Sequence, residues 1–94
     1  MPAAVRFGDL CTGHGCWGSR NNDSASNNVY INTLGAHRVG DHWVTHCCVE
    51  CHDSTQGTGS PNVFVNGVSL ARIGDQIVCG SYNMTGSGNV FANG

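Results

Sequence analysis

The chain contains no lysine. Four arginines against six acids leave a formal net charge of −2, and the arginines stand apart at Arg6, Arg20, Arg38 and Arg72. With no basic stripe to neutralise phosphates, nucleic acid is not an expected partner. Long apolar runs are also missing. Met1 to Leu10 holds none long enough for a secretory signal, and no later segment is long enough to span a bilayer. Synthesis in the cytoplasm, with thiols initially reduced, is the expectation. Helix periodicity is absent as well, and fourteen glycines would penalise helices in any case. Leucine and phenylalanine are few beside valine and alanine. Only 39% of the 94 residues are hydrophobic, so this is one domain near the lower size limit, and it needs a staple beyond its core.

Donor side chains are abundant. The stretch Arg38 to His52 holds three of the five histidines and three of the six cysteines. Thiolate and neutral imidazole are preferred zinc donors, and structural sites collect four of them tetrahedrally. Six cysteines also suit a disulfide framework. A reducing site of synthesis favours metal ligation, and a disulfide-rich secreted binding module lacks its signal.

The chain is one unit written three times. Arg6-Phe7-Gly8-Asp9, Arg38-Val39-Gly40-Asp41 and Arg72-Ile73-Gly74-Asp75 share the form R-φ-G-D, where φ is apolar. Each precedes a β-type run bounded by Asn: Asn28 to Asn32, Asn62 to Gly67, and Asn89 to Gly94. Asn66-Gly67 is the strongest hairpin signal. The expectation is an all-β domain, 1–94, of three similar lobes over roughly 1–34, 35–68 and 69–94. In each tetrad the glycine permits an unusual backbone angle and the aspartate accepts N–H groups of the turn, while the arginine is expected to pair with an acid of a neighbouring unit.

Donors recur in register. His14 follows Asp9 by five residues, His46 follows Asp41 by five, and Cys79 follows Asp75 by four. Three equivalent turns of a three-lobed fold converge on its pseudo-axis, which places His14, His46 and Cys79 around one ion. The longer second turn supplies a fourth ligand, His52, with His42 as its rival. His37 reads as structural. Cys11, Cys16, Cys47, Cys48 and Cys51 read as small buried hydrophobes, or as carrying a bridge between the first and second turns with connectivity open. Cys48 and Cys51 form a lone C-x2-C, a weak zinc or redox signal.

The tripled R-φ-G-D and N-V-φ-φ-N pattern, with Pro2-Ala3-Ala4 at its head, resembles the PAAR-repeat family. The resemblance implies a small cone of three β lobes with a zinc near its vertex, held by three histidines and a cysteine. Here those map to His14, His46, His52 and Cys79. The name-giving tetrad is degenerate: Ala3 to Arg6, Gly35 to Arg38 and Ser69 to Arg72 keep the arginine and lose the proline. The family implies a metal-stabilised cap that sharpens a trimeric β-helical membrane-piercing spike, the VgrG protein of type VI secretion or a phage central spike. One cap would sit on each trimer, through strand positions such as Val29, Ile31, Val63, Val65 and Val90. No catalytic residue is implied. Because the chain ends at Gly94 after the third strand, any effector cargo is expected to bind non-covalently. Made in the cytoplasm, the cap would act at the tip and contact the target membrane transiently. The alternative is a small zinc-dependent hydrolase or thiol oxidoreductase using His42, Glu50 and the C-x2-C.

Overall fold

Asn-Thr and Asn-Gly turn the chain back on itself in the first two lobes. Asn32 and Thr33 have φ of 52° and 70°, and Asn66 and Gly67 have 53° and 78°. Two successive left-handed residues make the hairpin turn whose twist suits right-twisted strands. The computed structural model describes residues 1–92; Asn93 and Gly94, the end of the third strand signature, lie outside the described residues. Strands β1 (Tyr30–Ile31) and β2 (Leu34–Gly35) form one hairpin, and β5 (Phe64–Val65) and β6 (Val68–Ser69) another. Between them the long pair β3 (His42–Cys48) and β4 (Glu50–Thr55) stands out, its tip at the fully exposed Val49. Every regular element among the described residues is a strand, and no helix is long and apolar enough to cross a membrane.

The third lobe is completed by the start of the chain. Ala3 bridges Phe91, the Ala4 amide donates to Val90, and the Ala92 amide donates to Pro2. These bonds match Gly35 opposite Tyr30 and Ser69 opposite Phe64. The repeats therefore close into a ring, the start of the chain standing in the third lobe where β2 and β6 stand in the others.

The ring has a hydrogen-bonded axis. Val5 N–H donates to Ala71 C=O (3.0 Å), Ala71 to His37 (2.9 Å), and His37 back to Val5 (3.1 Å). All three residues are fully buried. On one side lies an apolar cluster of Ala4, Ile31, Ala36, Val65, Leu70 and Ala92, drawn from all three lobes. On the other, the edge of His37 meets Trp43 at 5.1 Å, and Trp43 packs with Cys11, Ile77 and Cys79. This stacking orders the molecule from a three-lobed base through the axial ring to a single projecting hairpin, within 37 × 24 × 22 Å.

The R-φ-G-D tetrads are turns that close on themselves. Gly8, Gly40 and Gly74 have φ of 86°, 89° and 89°, which swings each aspartate back beneath its own arginine. Asp9, Asp41 and Asp75 each accept the backbone N–H and the guanidinium of the arginine three residues earlier. The expected pairing with an acid of a neighbouring unit is therefore corrected. The contacts between units go to carbonyls instead, Arg6 to Gly86 (3.2 Å) and Arg72 to Gly59 (3.3 Å). Each pair is a partly or fully buried, charge-assisted fork.

His37 makes the ring sensitive to acid. Burial pushes its imidazole below the ordinary range, against the Ser24 carbonyl that its Nδ1 meets at 2.9 Å. A histidine with a lowered folded-state pKa contributes full stability above its unfolded value of about 6.5 and loses it as pH falls. His37→Gln keeps a donor for Ser24 and cannot be protonated. Its Tm is expected to fall less steeply than the parent's between pH 7 and pH 5, as thermal melts followed by circular dichroism will show.

Candidate metal centre

The projecting hairpin aligns two histidines because its register does so. His46 and His52 are cross-strand partners and share a face, with Nε2 atoms 2.7 Å apart. His14 comes from the first loop, where His14 and Trp17 exchange backbone hydrogen bonds of 2.9 and 2.8 Å. Gly13 makes that turn possible: its φ is 73°, and a Cβ there would lie 2.4 Å from the Trp17 oxygen. His14 Nε2 then stands 3.0 Å from His52 Nε2. Cys79 comes from the third unit, its amide fixed by the Ser54 hydroxyl at 3.0 Å. One donor atom from each of His14, His46, His52 and Cys79 lies within 4.8 Å of the others.

The protonation chemistry of this cluster suits a cation. A carbonyl can only accept, so the Gly18 oxygen 2.9 Å from His46 Nδ1 requires the proton there. The lone pair of His46 Nε2 is thereby turned toward the other donors. Three Nε2 atoms so close cannot satisfy one another by hydrogen bonding, since His52 Nε2 carries at most one proton for two neighbours. Burial, then the neighbouring His52 and Arg20, lower the His14 pKa. Burial likewise lowers that of His46, with Arg20, His52 and His14 adding to it against the Gly18 bond. Burial raises the Cys79 thiol, but hydrogen bonds from Ser81 and Arg20 outweigh it and the net shift is downward. Neutral imidazole and thiolate are the forms a metal needs. The residues present fit a metal ion.

Arg20 was not anticipated as part of this centre. Its side chain is almost fully buried and meets sulfur and a carbonyl rather than an acid: Cys11 Sγ at 3.1 Å, Cys79 Sγ at 3.4 Å and the Val44 oxygen at 2.7 Å. It also lies over the Trp43 ring. The sequence did carry a signal, because Arg20 is the one arginine outside an R-φ-G-D tetrad. Removing such a supporting donor typically weakens metal binding by about 10- to 100-fold. That loss is expected for Arg20→Met in competition against a chromophoric chelator.

The remaining candidates lie elsewhere. His42 faces Asp23 through Nδ1 and Asp53 through Nε2 (2.8 Å), on the flank of the hairpin, so it is not in the cluster. His37 lies in the axial ring. Cys11 is a buried free thiol, as the buried-hydrophobe reading has it; the other four are bonded instead, and one of the bonds is the expected bridge between the first and second turns. Cys16 pairs with Cys48 and Cys47 with Cys51. The C-x2-C is not a redox pair either. Val49 turns the chain between β3 and β4, Cys47 and Cys51 become cross-strand partners, and Cys48 points to the face occupied by the first loop.

Three β lobes closed about a threefold ring, narrowing to a hairpin with a His3Cys cluster, define a small all-β cone. The chain belongs to the PAAR motif family, whose sequence model matches residues 21–85. It is similar to two Pseudomonas aeruginosa proteins, the NAD(P)(+) glycohydrolase toxin Tse6 and the (p)ppApp synthetase toxin Tas1. Each is 34% identical over an alignment covering 71% of this chain. That alignment covers 17% of either relative.

Proposed function

We propose that the protein is a zinc-stapled cap that completes the tip of a trimeric β-helical spike of the type VI secretion or contractile-tail kind. The carrying observation is the meeting of His14, His46, His52 and Cys79 at the narrow end of a ring closed from three units. Three imidazoles and a thiolate are a structural zinc set, four protein ligands leaving no open position for water. We assign those four residues as the ligands, and the zinc as a staple whose chemistry is to hold the three loops together. The units 1–34, 35–68 and 69–94 form one domain. Such a cap transmits force along its axis to a small area.

Docking falls to the broad end. Tyr30, Phe64 and Phe91 occupy the same position in the three lobes and are 60, 58 and 50% exposed. Val29 and Val90 beside them are exposed too. Ile31 and Val65, in the expected contact set, are buried in the core because alternate strand residues take opposite faces. A threefold apolar array presented by one chain suits a trimer, one cap to three spike chains.

The enzymatic alternative finds little support. The described residues enclose no pocket, both His42 nitrogens face carboxylates, and the C-x2-C is split between two disulfides. Two relatives of different named activity match to the same extent, which is the expectation when the shared part is not what distinguishes those activities. Toxin cargo is accordingly proposed to travel with the cap, from cytoplasmic assembly to the target envelope. Elemental analysis tests the staple, with about one zinc per chain expected. Mixing with a trimeric β-helical spike tests the cap, and a 1:1 chain ratio would contradict it.

A further inference from the structure

We propose that the Cys16–Cys48 disulfide is a redox lock on the metal centre: oxidised, it tightens the hold on the ion, and reduced, it weakens that hold. The inference rests on the ligand assignment above and concerns how that site is regulated.

Cys16 follows His14 by two residues, and Cys48 follows His46 by two along β3. Residues two apart on a strand share a face, so Cys48 lies on the face of His46, one step nearer the tip. The bond to Cys16 thus repeats the approach of His14 to the β3–β4 pair, in covalent form. Apart from the packing of the His14 and Trp17 rings on His46 and His52, few contacts tie those segments together. The first loop is closed at its neck by the Cys11 amide on the Arg20 carbonyl. Beyond the neck, no backbone hydrogen bond among the described residues joins residues 12–19 to β3 or β4. Besides the His14–His52 ring nitrogens of the cluster itself (3.0 Å), the side-chain hydrogen bonds across that gap are Trp17 Nε1–H on the Glu50 carbonyl (3.0 Å) and His46 Nδ1–H on the Gly18 carbonyl (2.9 Å). With the disulfide open, metal binding must itself order the loop that carries His14. With it closed, that entropy has already been lost. Cys47–Cys51 lies on the opposite face and joins strands whose ladder already fixes their register, so it serves as the internal control.

The lock is reachable, since Cys16 is exposed and Cys48 only half-buried. Opening it is a thiol–disulfide exchange. A reductant thiolate attacks one sulfur to give a mixed disulfide, and a second thiolate releases it. Cys16 and Cys48 gain two electrons and two protons, and the dithiol reductant leaves as its own disulfide. A disulfide oxidant runs the reverse.

Coupling between sites is reciprocal and commonly about 5- to 150-fold. The test titrates Zn2+ against a chromophoric chelator with the full chain carrying Cys47→Ser and Cys51→Ser, so that one disulfide remains. The oxidised form is expected to bind at least about fivefold more tightly than the same protein reduced with a phosphine. Cys16→Ser with Cys48→Ser must reproduce the weak state without adding thiols. Should that variant fail to fold, the reciprocal measurement decides: bound Zn2+ should shift the parent disulfide's equilibrium with a glutathione buffer toward the oxidised form by the same factor. Equal zinc affinity in both redox states overturns the lock and leaves the ligand assignment standing. Zinc bound in neither state overturns both.

Discussion

Chelation of the metal from reduced protein is expected to unfold the chain cooperatively. The apolar core is small: among the described residues six buried side chains cluster at the base and three beneath the narrow end, with Val5 and Ala71 in the ring between and Trp43 the largest member. A structural zinc contributes roughly 10–16 kcal/mol of apparent binding free energy in small domains, against a typical net stability of about 5–15 kcal/mol. Removing it while the disulfides are open leaves only hydrogen bonds and ring packing to tie the first loop, the β3–β4 pair and the Cys79 loop together. His14→Ala and Cys79→Ala should each lower zinc content sharply. His37→Ala should not, because His37 meets Ser24 and Trp43 and lies in the ring. Trp43 fluorescence and far-ultraviolet circular dichroism report the transition. Reduced, metal-free protein that kept its fold would remove the staple from the account. In the oxidised protein the two disulfides should leave the narrow end partly ordered after chelation.

The second large effect concerns the spike. Substituting Tyr30, Phe64 and Phe91 together by aspartate is expected to abolish capture by a trimeric β-helical spike while leaving Tm within a few degrees of the parent. All three side chains are at least half exposed, so the fold loses little. Each exposed aromatic that anchors an interface commonly accounts for about 2 kcal/mol or more, and three together exceed what a moderate affinity retains. Ile31→Asp is the contrasting variant. Ile31 is buried against Ala4, Ala36 and Val65, so that change should unfold the base rather than block docking. Size-exclusion chromatography with light scattering measures the stoichiometry, expected to be one cap per trimer. Undiminished binding by the triple aspartate variant would show that another surface docks.

Much of this architecture was legible in the residues. R-φ-G-D followed by an Asn-bounded strand, three times over, announced three lobes, and the offsets of His14, His46 and Cys79 from their aspartates announced that they would meet. His52 was less clear from His42, because spacing alone does not say where a hairpin turns. Once Val49 is the tip, His46 opposes His52 and His42 opposes Thr55. The cysteines were illegible for the same reason. Cys47 and Cys48 are neighbours in the chain but point to opposite faces, and no count of spacings tells which partner waits on each.

Arginine partners were misread because a left-handed glycine shortens the reach from Arg to its own Asp, which local sequence permits without requiring. The residues alone determined the repeat, the β character and the register of the donors, since these are properties of short stretches. Only the tertiary structure decided that Pro2 to Ala4 complete the third lobe, that Arg20 meets sulfur instead of a carboxylate, and that Cys16 meets Cys48. Each of those joins segments distant in the chain, and what brings them together is closure of the ring, which no single unit encodes.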